Sequence, residues 1–208
     1  MYDFSQKYIF RMTHLNNIPH ILQHGITHRN SANRNPNYIA IGDNTIINTR
    51  NSTRTAINER SLGEYIPFYF SYRTPMLYVI QNGFNGVQAT SANHIVYCVS
   101  SIAEINSSQI GYIFTDGHAT NNFTTQYSSN QIENIDTLLD YNAINDPFWI
   151  DENDLDKKRR KEAELLLERD LPPNYILGYI CSNESTKSVL VGFGIPEEKI
   201  VVKPNYYF

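Results

Sequence analysis

Cysteine is nearly missing from this sequence: Cys98 and Cys181 are the only two in 208 residues. Each lies in an apolar stretch without further metal ligands nearby, which excludes a zinc module and predicts two buried thiols of a cytoplasmic protein. Long apolar runs are missing too. Nothing approaches the ~18 apolar residues that a membrane-crossing helix needs, so no membrane association is expected. The opening residues Met1-Tyr2-Asp3-Phe4 lack the charged-then-apolar pattern of a leader. GxGxxG, Walker-type and HExxH motifs do not occur. His20, His24 and His28 recur every four residues, but Gly25 and Thr27 interrupt any helix that could gather them, so no metal is expected. Positive charge is absent from residues 74–156, which carry ten acids and no Lys or Arg.

What is present is uneven charge and dense aromaticity. The net charge is −4, yet residues 1–73 carry eight Lys/Arg against four acids, and residues 157–208 nine against seven. An acidic protein with basic regions can still present a basic groove to a nucleic acid, although chance clustering on a solvated surface gives the same counts. The 41% hydrophobic content suffices for a core, and the length fits one domain over residues 1–208, expected as a monomer.

The apolar and turn patterns predict strands at 8–14, 65–72, 94–100, 111–115, 175–181 and 200–203. Pro67 marks its strand as an edge or a strand start. Helices are predicted at 18–22, capped by Asn16 or Asn17 and ended by Gly25, at 45–51, and at 186–193. Residues 119–150 read as a long Asn-rich loop with a helix near 132–142. Residues 153–169 favour helix by composition, while Ala163–Leu167 equally suits a buried strand. The class is α+β.

Four patterns carry chemical potential. Arg11 and Thr13 on a strand end, followed by Asn17 at a helix start, can grip a phosphate or an amide. Gly42 beside Asp43 lets backbone approach a ligand, and Arg50 and Arg54 share a face if their segment is helical. The run Tyr65–Tyr78, with Arg73 and Met76 inside it, offers rings for stacking on nicotinamide, adenine or a base. Five cations, Lys157–Lys161, precede Glu162-Ala163-Glu164, which places Glu164 at the border of an apolar run. A carboxylate held there can face a developing positive charge. Each pattern alone also has a plain structural reading: a capped strand end, a solvated loop, a core strand and an amphipathic helix.

Taken in order, these patterns resemble the DarT family of DNA ADP-ribosyltransferase toxins. The matching residues are Thr13-His14-x-x-Asn17, Tyr65-Ile66-Pro67-Phe68-Tyr69-Phe70 with Arg73-Thr74-Pro75-Met76-Leu77, Thr115-Asp116-Gly117-His118-Ala119, and Ala163-Glu164-Leu165. The resemblance implies an ADP-ribosyltransferase fold, a split, twisted β-core around an NAD⁺ cleft with peripheral helices. It implies transfer of ADP-ribose from NAD⁺ to a base of single-stranded DNA, without a metal. By resemblance Glu164 is the catalytic glutamate and Arg50 the essential arginine, with Arg54 as second choice. Arg11, Thr13, Asn17, Gly42, Arg50 and Met76 would serve NAD⁺, and Tyr72, Arg73, His118 and Arg54 the DNA. A DarG-like macrodomain antitoxin is implied as partner. Thymine-modifying members have His where this chain has Arg11, and the segment Asn30–Tyr38 also differs. Both tilt the expectation towards guanine. Transfer to thymine, RNA or protein is the alternative within the fold, and a non-catalytic single-strand-binding module the alternative outside it.

Overall fold

The β-branched and aromatic run at the start of the chain forms strand β1 (Tyr8–His14) in the computed structural model, which describes residues 3–208. The leader reading rests in part on Met1 and Tyr2, which lie outside the described residues. Seven further strands follow: β2 (Ile66–Tyr69), β3 (Ile95–Ser101), β4 (Tyr112–Thr115), β5 (Gln126–Ser128), β6 (Glu164–Leu167), β7 (Gly178–Cys181) and β8 (Ile200–Val202). They form one sheet in the order β5-β4-β6-β2-β1-β3-β7-β8. Neighbours are antiparallel except β7 and β8.

The sheet is split at its middle. β1 and β3 pair along all seven residues of β1, whereas β1 and β2 share the single pair Phe10↔Tyr69. The Arg11 guanidinium reaches across the gap to donate to the Pro67 carbonyl at 2.8 Å. Pro67 therefore sits at the start of β2 and inside the strand order, the second of the two expected placements and not the outer edge. Its carbonyl faces β1, so its missing N–H faces the split too, where no ladder bond is lost.

Helices cover both faces: α1 (Ile18–His24), α2 (Asn44–Ser52), α3 (Pro75–Asn82), α4 (Ile102–Ser108), α5 (Ile135–Leu138), α6 (Tyr141–Asn145), α7 (Lys157–Lys161) and α8 (Glu184–Gly192). On one face Ile9, Phe68, Phe114 and Leu165 pack against apolar residues of α1, α4, α5 and α8. On the other, Phe10, Tyr97 and Ile180 meet Met76, Leu77 and Ile80 of α3. Cys98 and Cys181 are buried free thiols, and burial pushes the Cys98 thiol up to about 12. No helix among the described residues is long and apolar enough to cross a membrane.

Three local expectations need correction. Asn17 precedes α1 but makes no side-chain cap, because its amide is committed elsewhere. Residues 119–150 contain the unforeseen strand β5, and the helix expected at 132–142 breaks in two. Asp140 accepts from Asn142 N–H and Ala143 N–H and so starts α6 as a separate helix. The ambiguous stretch 153–169 is both things in turn: α7, then β6, whose four residues are all buried. A strand buried on both faces loses the alternation that would have identified it.

Candidate active site

The residues at the split assemble around one carboxylate. Glu164 opens β6 opposite Tyr69 of β2, with 0% of its surface exposed. Its Oε2 accepts from Arg50 Nη1 at 2.8 Å, and its Oε1 accepts from the Ala119 N–H at 2.9 Å. Its own N–H donates to Thr115 Oγ1 at 3.1 Å.

The segment Thr115–Ala119 explains itself residue by residue. Thr115 ties β4 to β6 and donates to the Gly117 carbonyl. Asp116 pairs with Arg159 of α7 at 2.8 Å. A Cβ on Gly117 would meet Arg159 atoms at 2.6–2.9 Å, so only glycine lets α7 come this close. His118 then turns into a cavity, and Ala119 offers its amide to Glu164.

Arg50 arrives on α2. Asp43 Oδ1 accepts from Thr45 N–H and caps that helix, and Arg50 is its only buried residue. Ile46 packs this helix partly onto the α3-side core, and the ion pair of Arg50 anchors its other end. Arg50 is 9% exposed, and its Nη2 is buried without a hydrogen-bond partner among the described residues. A buried donor left unpaired costs about 1–3 kcal/mol, which points to a ligand that supplies an acceptor.

Two cavities open beside the groups bonded to Glu164, which itself lines neither. One, of about 290 Å³, is lined by Arg11, Arg29, Arg34, Arg50, Tyr38 and Tyr65 among others. Its arginines suit a diphosphate and its phenols suit flat rings. The other, of about 630 Å³, holds Met76, His118, Lys158 and Glu162, and its rim carries Phe123 and Leu155, which are 84% and 89% exposed. Burial, together with the Arg50 and Lys158 charges, holds the His118 imidazole below its ordinary range against the opposing pull of Glu164. Burial pushes the Glu162 carboxyl up to about 8. Burial, and then the charges of Glu164 and Glu162, drive the Tyr69 phenol upward, so it stays neutral.

The family model described as "ssDNA thymidine ADP-ribosyltransferase, DarT" matches residues 10–208. The chain belongs to the DarT family. With that family it is an NAD⁺-dependent DNA ADP-ribosyltransferase. A DNA ADP-ribosyl transferase of Escherichia coli O127:H6 is 32% identical over 181 residues, covering 86% of this chain and 82% of the relative. A transferase–glycohydrolase fusion protein of Thermosipho africanus is 27% identical over 96% of this chain, which spans 49% of the fusion. The solved Thermus sp. 2.9 DarT in complex with ADP-ribosylated ssDNA superposes with a TM-score of 0.85 at 22% identity, covering both chains fully. That likeness carries the fold.

Within this DarT chain the expected site residues scatter more than the sequence suggested. Arg11 and Arg50 share the smaller cavity, while Met76 and His118 line the larger one. Thr13 and Asn17 are buried and bonded to each other at 3.0 Å, and Asn17 clamps both the N–H and the carbonyl of Ile39. They hold the loop beside the cleft. Gly42 lines a third cavity with His14 and His94. Arg54 is exposed and donates to the Glu59 carbonyl, so Arg50 is the arginine that touches Glu164. Tyr72 stacks on Tyr206, and Arg73 lies over the Phe208 ring at 4.6 Å. Among the described residues no group of His, Cys, Asp or Glu is placed to hold a metal ion.

The basic run also changes meaning. Lys157 pairs with Asp146 and Asp151, Arg159 with Asp116 and Asp156, and Arg160 with Asp140, Asp154 and Asp156. Buried Lys161 donates to the Ile144 carbonyl. The cations thus neutralise the acid-only segment before them. Lys158 alone in the run is exposed and has no ion pair among the described residues. Glu162, Lys158 and Phe123 had no individual signal in the sequence beyond Glu162 standing two residues before Glu164.

Proposed function

We propose that the two cavities beside Glu164 hold the two substrates, NAD⁺ in the smaller and an unstacked base of single-stranded DNA in the larger. The observation that carries this is the buried carboxylate bonded on one side to Arg50 of the first cavity, and on the other to the amide beside His118 of the second.

Arg11, Arg29 and Arg34 would hold the diphosphate, and Arg50 Nη2 would find its acceptor on the dinucleotide. Nicotinamide leaves as a neutral ring, and positive charge gathers on the ribose carbon it vacates. Glu164 is fixed in advance by two charge-supporting bonds and faces that charge without reorganising, which is the economical form of electrostatic catalysis. The base nitrogen then bonds to the same carbon and gives up its proton.

The acceptor side suits a single strand. Phe123 and Leu155 at the rim offer stacking and Lys158 a phosphate contact. A base paired inside a duplex would first have to be flipped out, at a cost of a few kcal/mol. Arg11 and the segment Asn30–Tyr38, on which the guanine expectation rested, border the opposite cavity from His118. Thymidine, for which the family is named, is therefore the first acceptor to test, and guanine the second. The fused glycohydrolase of the Thermosipho relative supports a partner that removes ADP-ribose, of the DarG kind.

The test is mass spectrometry of nucleosides from an oligonucleotide treated with NAD⁺ and the protein. Wild type yields an ADP-ribosylated nucleoside, and Glu164→Gln lowers the yield by about 10²–10³. Equal yield from both would remove Glu164 from the reaction.

A further inference from the structure

The loop that carries Arg29 and Arg34 has no apolar anchor, since none of residues 27–40 is buried. Its shape rests on polar contacts, and two residues supply most of them at its start. Ile26 and Leu171 exchange both backbone hydrogen bonds at 2.9 Å, which seats Asp170 beside the first turn. Asp170 Oδ1 accepts from the His28 N–H at 2.7 Å, and its Oδ2 accepts from the Ser31 hydroxyl. Ser31 N–H donates to the His28 carbonyl at 2.9 Å, and Arg34 N–H to the Ser31 carbonyl at 3.2 Å. The two carboxylate oxygens therefore grip both ends of the turn that holds Arg29, and the next turn holds Arg34.

The His28 ring extends this grip to the opposite wall. Its Nε2 lies 2.7 Å from the Gly63 carbonyl, and its Nδ1 accepts from the Asn30 N–H at 3.1 Å. A carbonyl only accepts and an amide N–H only donates, so these partners require the neutral ring with its proton on Nε2. Gly63 sits hard against α2, where a Cβ would collide with Asn51 Oδ1. Next to it the Ser61 hydroxyl reaches the carbonyls of Arg50 and Asn51 at 3.1 and 2.9 Å. The loop is thus braced on the same helix that delivers Arg50.

We propose that Asp170 and His28 are positioning residues for NAD⁺, which hold the turns from His28 to Arg34 in the arrangement that brings Arg29 and Arg34 into the smaller cavity. This rests on the placement of NAD⁺ in that cavity. His28 lines both the smaller cavity and an outer one of about 550 Å³, and Asp170 borders only the outer one. Asp170 therefore acts through the loop and not by contact with the dinucleotide. Its charge is spent on the loop and turned away from a diphosphate that it would otherwise repel.

The consequence falls on binding. A loop released from Asp170 spends only part of its time in the binding arrangement, and NAD⁺ affinity drops by that fraction. Losing one charge-supported hydrogen bond corresponds to roughly a tenfold shift in such an equilibrium. Once NAD⁺ is bound, Glu164 still holds its bonds to Arg50 and to the Ala119 amide. The loss therefore appears in KM and leaves kcat near wild type.

The experiment measures NAD⁺ binding by calorimetric titration, and KM and kcat for nicotinamide release with a thymine-containing oligonucleotide. Asp170→Ala should raise Kd and KM for NAD⁺ by about tenfold or more, with kcat near wild type. Asp170→Asn can still accept from the His28 N–H and should recover part of that loss. His28→Phe keeps a flat ring but loses both ring bonds, and should raise KM in the same way. Glu168→Gln alters a neighbouring carboxylate that borders the outer cavity without bonding the loop, and should leave KM unchanged. The double variant Arg29→Ala with Arg34→Ala should also weaken NAD⁺ binding. In that background Asp170→Ala should add little, because its effect passes through those two side chains. A wild-type KM in Asp170→Ala, a loss confined to kcat, or full additivity with the arginine variant would overturn the positioning role alone. NAD⁺ affinity unchanged in the arginine variant would overturn the placement of NAD⁺ in the smaller cavity, and this role with it.

Discussion

Arg50 and Glu164 stand 114 residues apart in the chain and meet in an ion pair of 2.8 Å across the split of the sheet. One comes from a helix with no other buried residue, the other from a strand with no exposed one. The pair joins the polar segment around α2 to a fully buried strand of the core. Its two members therefore tie the fold together at the proposed reaction centre.

Replacing Arg50 separates these duties from those of its neighbour. Arg50→Ala leaves a buried carboxylate uncompensated, a change that typically costs about 3–5 kcal/mol. NAD⁺ turnover should fall by at least about 10². Arg54→Ala removes an exposed side chain whose partner is a surface carbonyl, so stability should stay within about 0.5 kcal/mol and turnover close to wild type. Urea denaturation and nicotinamide release on both variants check this. Equal effects would contradict the assignment of the essential arginine.

The contrast shows what the sequence could disclose. β1, β3 and β7 were legible because β-branched and aromatic residues crowd them, and α8 because a capping Asn183 precedes it and Gly194 follows. β6 was only half legible, since Leu165, Leu166 and Leu167 are all buried and a continuous apolar run has no period. The Arg50 side was legible through the resemblance, yet its spacing alone left Arg54 open. Glu162, Lys158 and Phe123 were hidden because each depends on which wall of a cavity the chain passes. The acid-only segment was visible in the sequence, but its pairing with α7 was not, because those pairs join residues up to 43 positions apart.

That pairing gives a test by salt. Binding of a single strand should lose affinity with a slope of about −0.7 per neutralised phosphate. Lys158→Ala should reduce the slope by roughly that amount. Arg160→Ala should leave it nearly unchanged, because Arg160 is committed to Asp140, Asp154 and Asp156. Fluorescence anisotropy with a labelled oligonucleotide across salt concentrations measures both, and a larger slope change for Arg160 than for Lys158 would contradict the reading. In the same assay Phe123→Ala should cost about 1–3 kcal/mol of binding if its exposed ring stacks on a base.

Asn17 tests the loop that borders the NAD⁺ side. Its amide donates to Thr13 Oγ1 and the Ile39 carbonyl and accepts from Ile39 N–H, all with the residue buried. Asn17→Ala strips three bonds and leaves backbone groups unpaired, so a loss of roughly 2–3 kcal/mol is expected. NAD⁺ affinity should fall with it, because the loop after Asn17 carries Arg29, Arg34 and Tyr38 into the cavity. Calorimetric titration with NAD⁺ separates this from a direct contact: hydrogen exchange should rise across residues 26–42 in the variant even without ligand.

Stability against pH should expose Glu162 independently of any substrate. Its folded carboxyl titrates near 8, whereas an unfolded glutamate titrates near 4.3. Between those values the folded chain holds a proton that the unfolded chain has released. Stability therefore falls as pH rises through this window and levels off above about 8. At about 1.36 kcal/mol per pH unit, the fall from pH 6.5 to 8 amounts to about 2 kcal/mol. Lys161, lowered to about 8 by burial, acts only above that window, where the unfolded chain still holds its proton and stability rises with pH. His118, lowered by burial, acts inside the window with the opposite sign, since its own contribution drops as pH falls under about 6.5. Glu162→Gln should therefore remove this fall throughout the window and leave the rise above about 8 in place. Denaturant titrations at half-unit pH intervals measure this, and an unaltered slope in the variant would mean that Glu162 is charged in the folded state throughout.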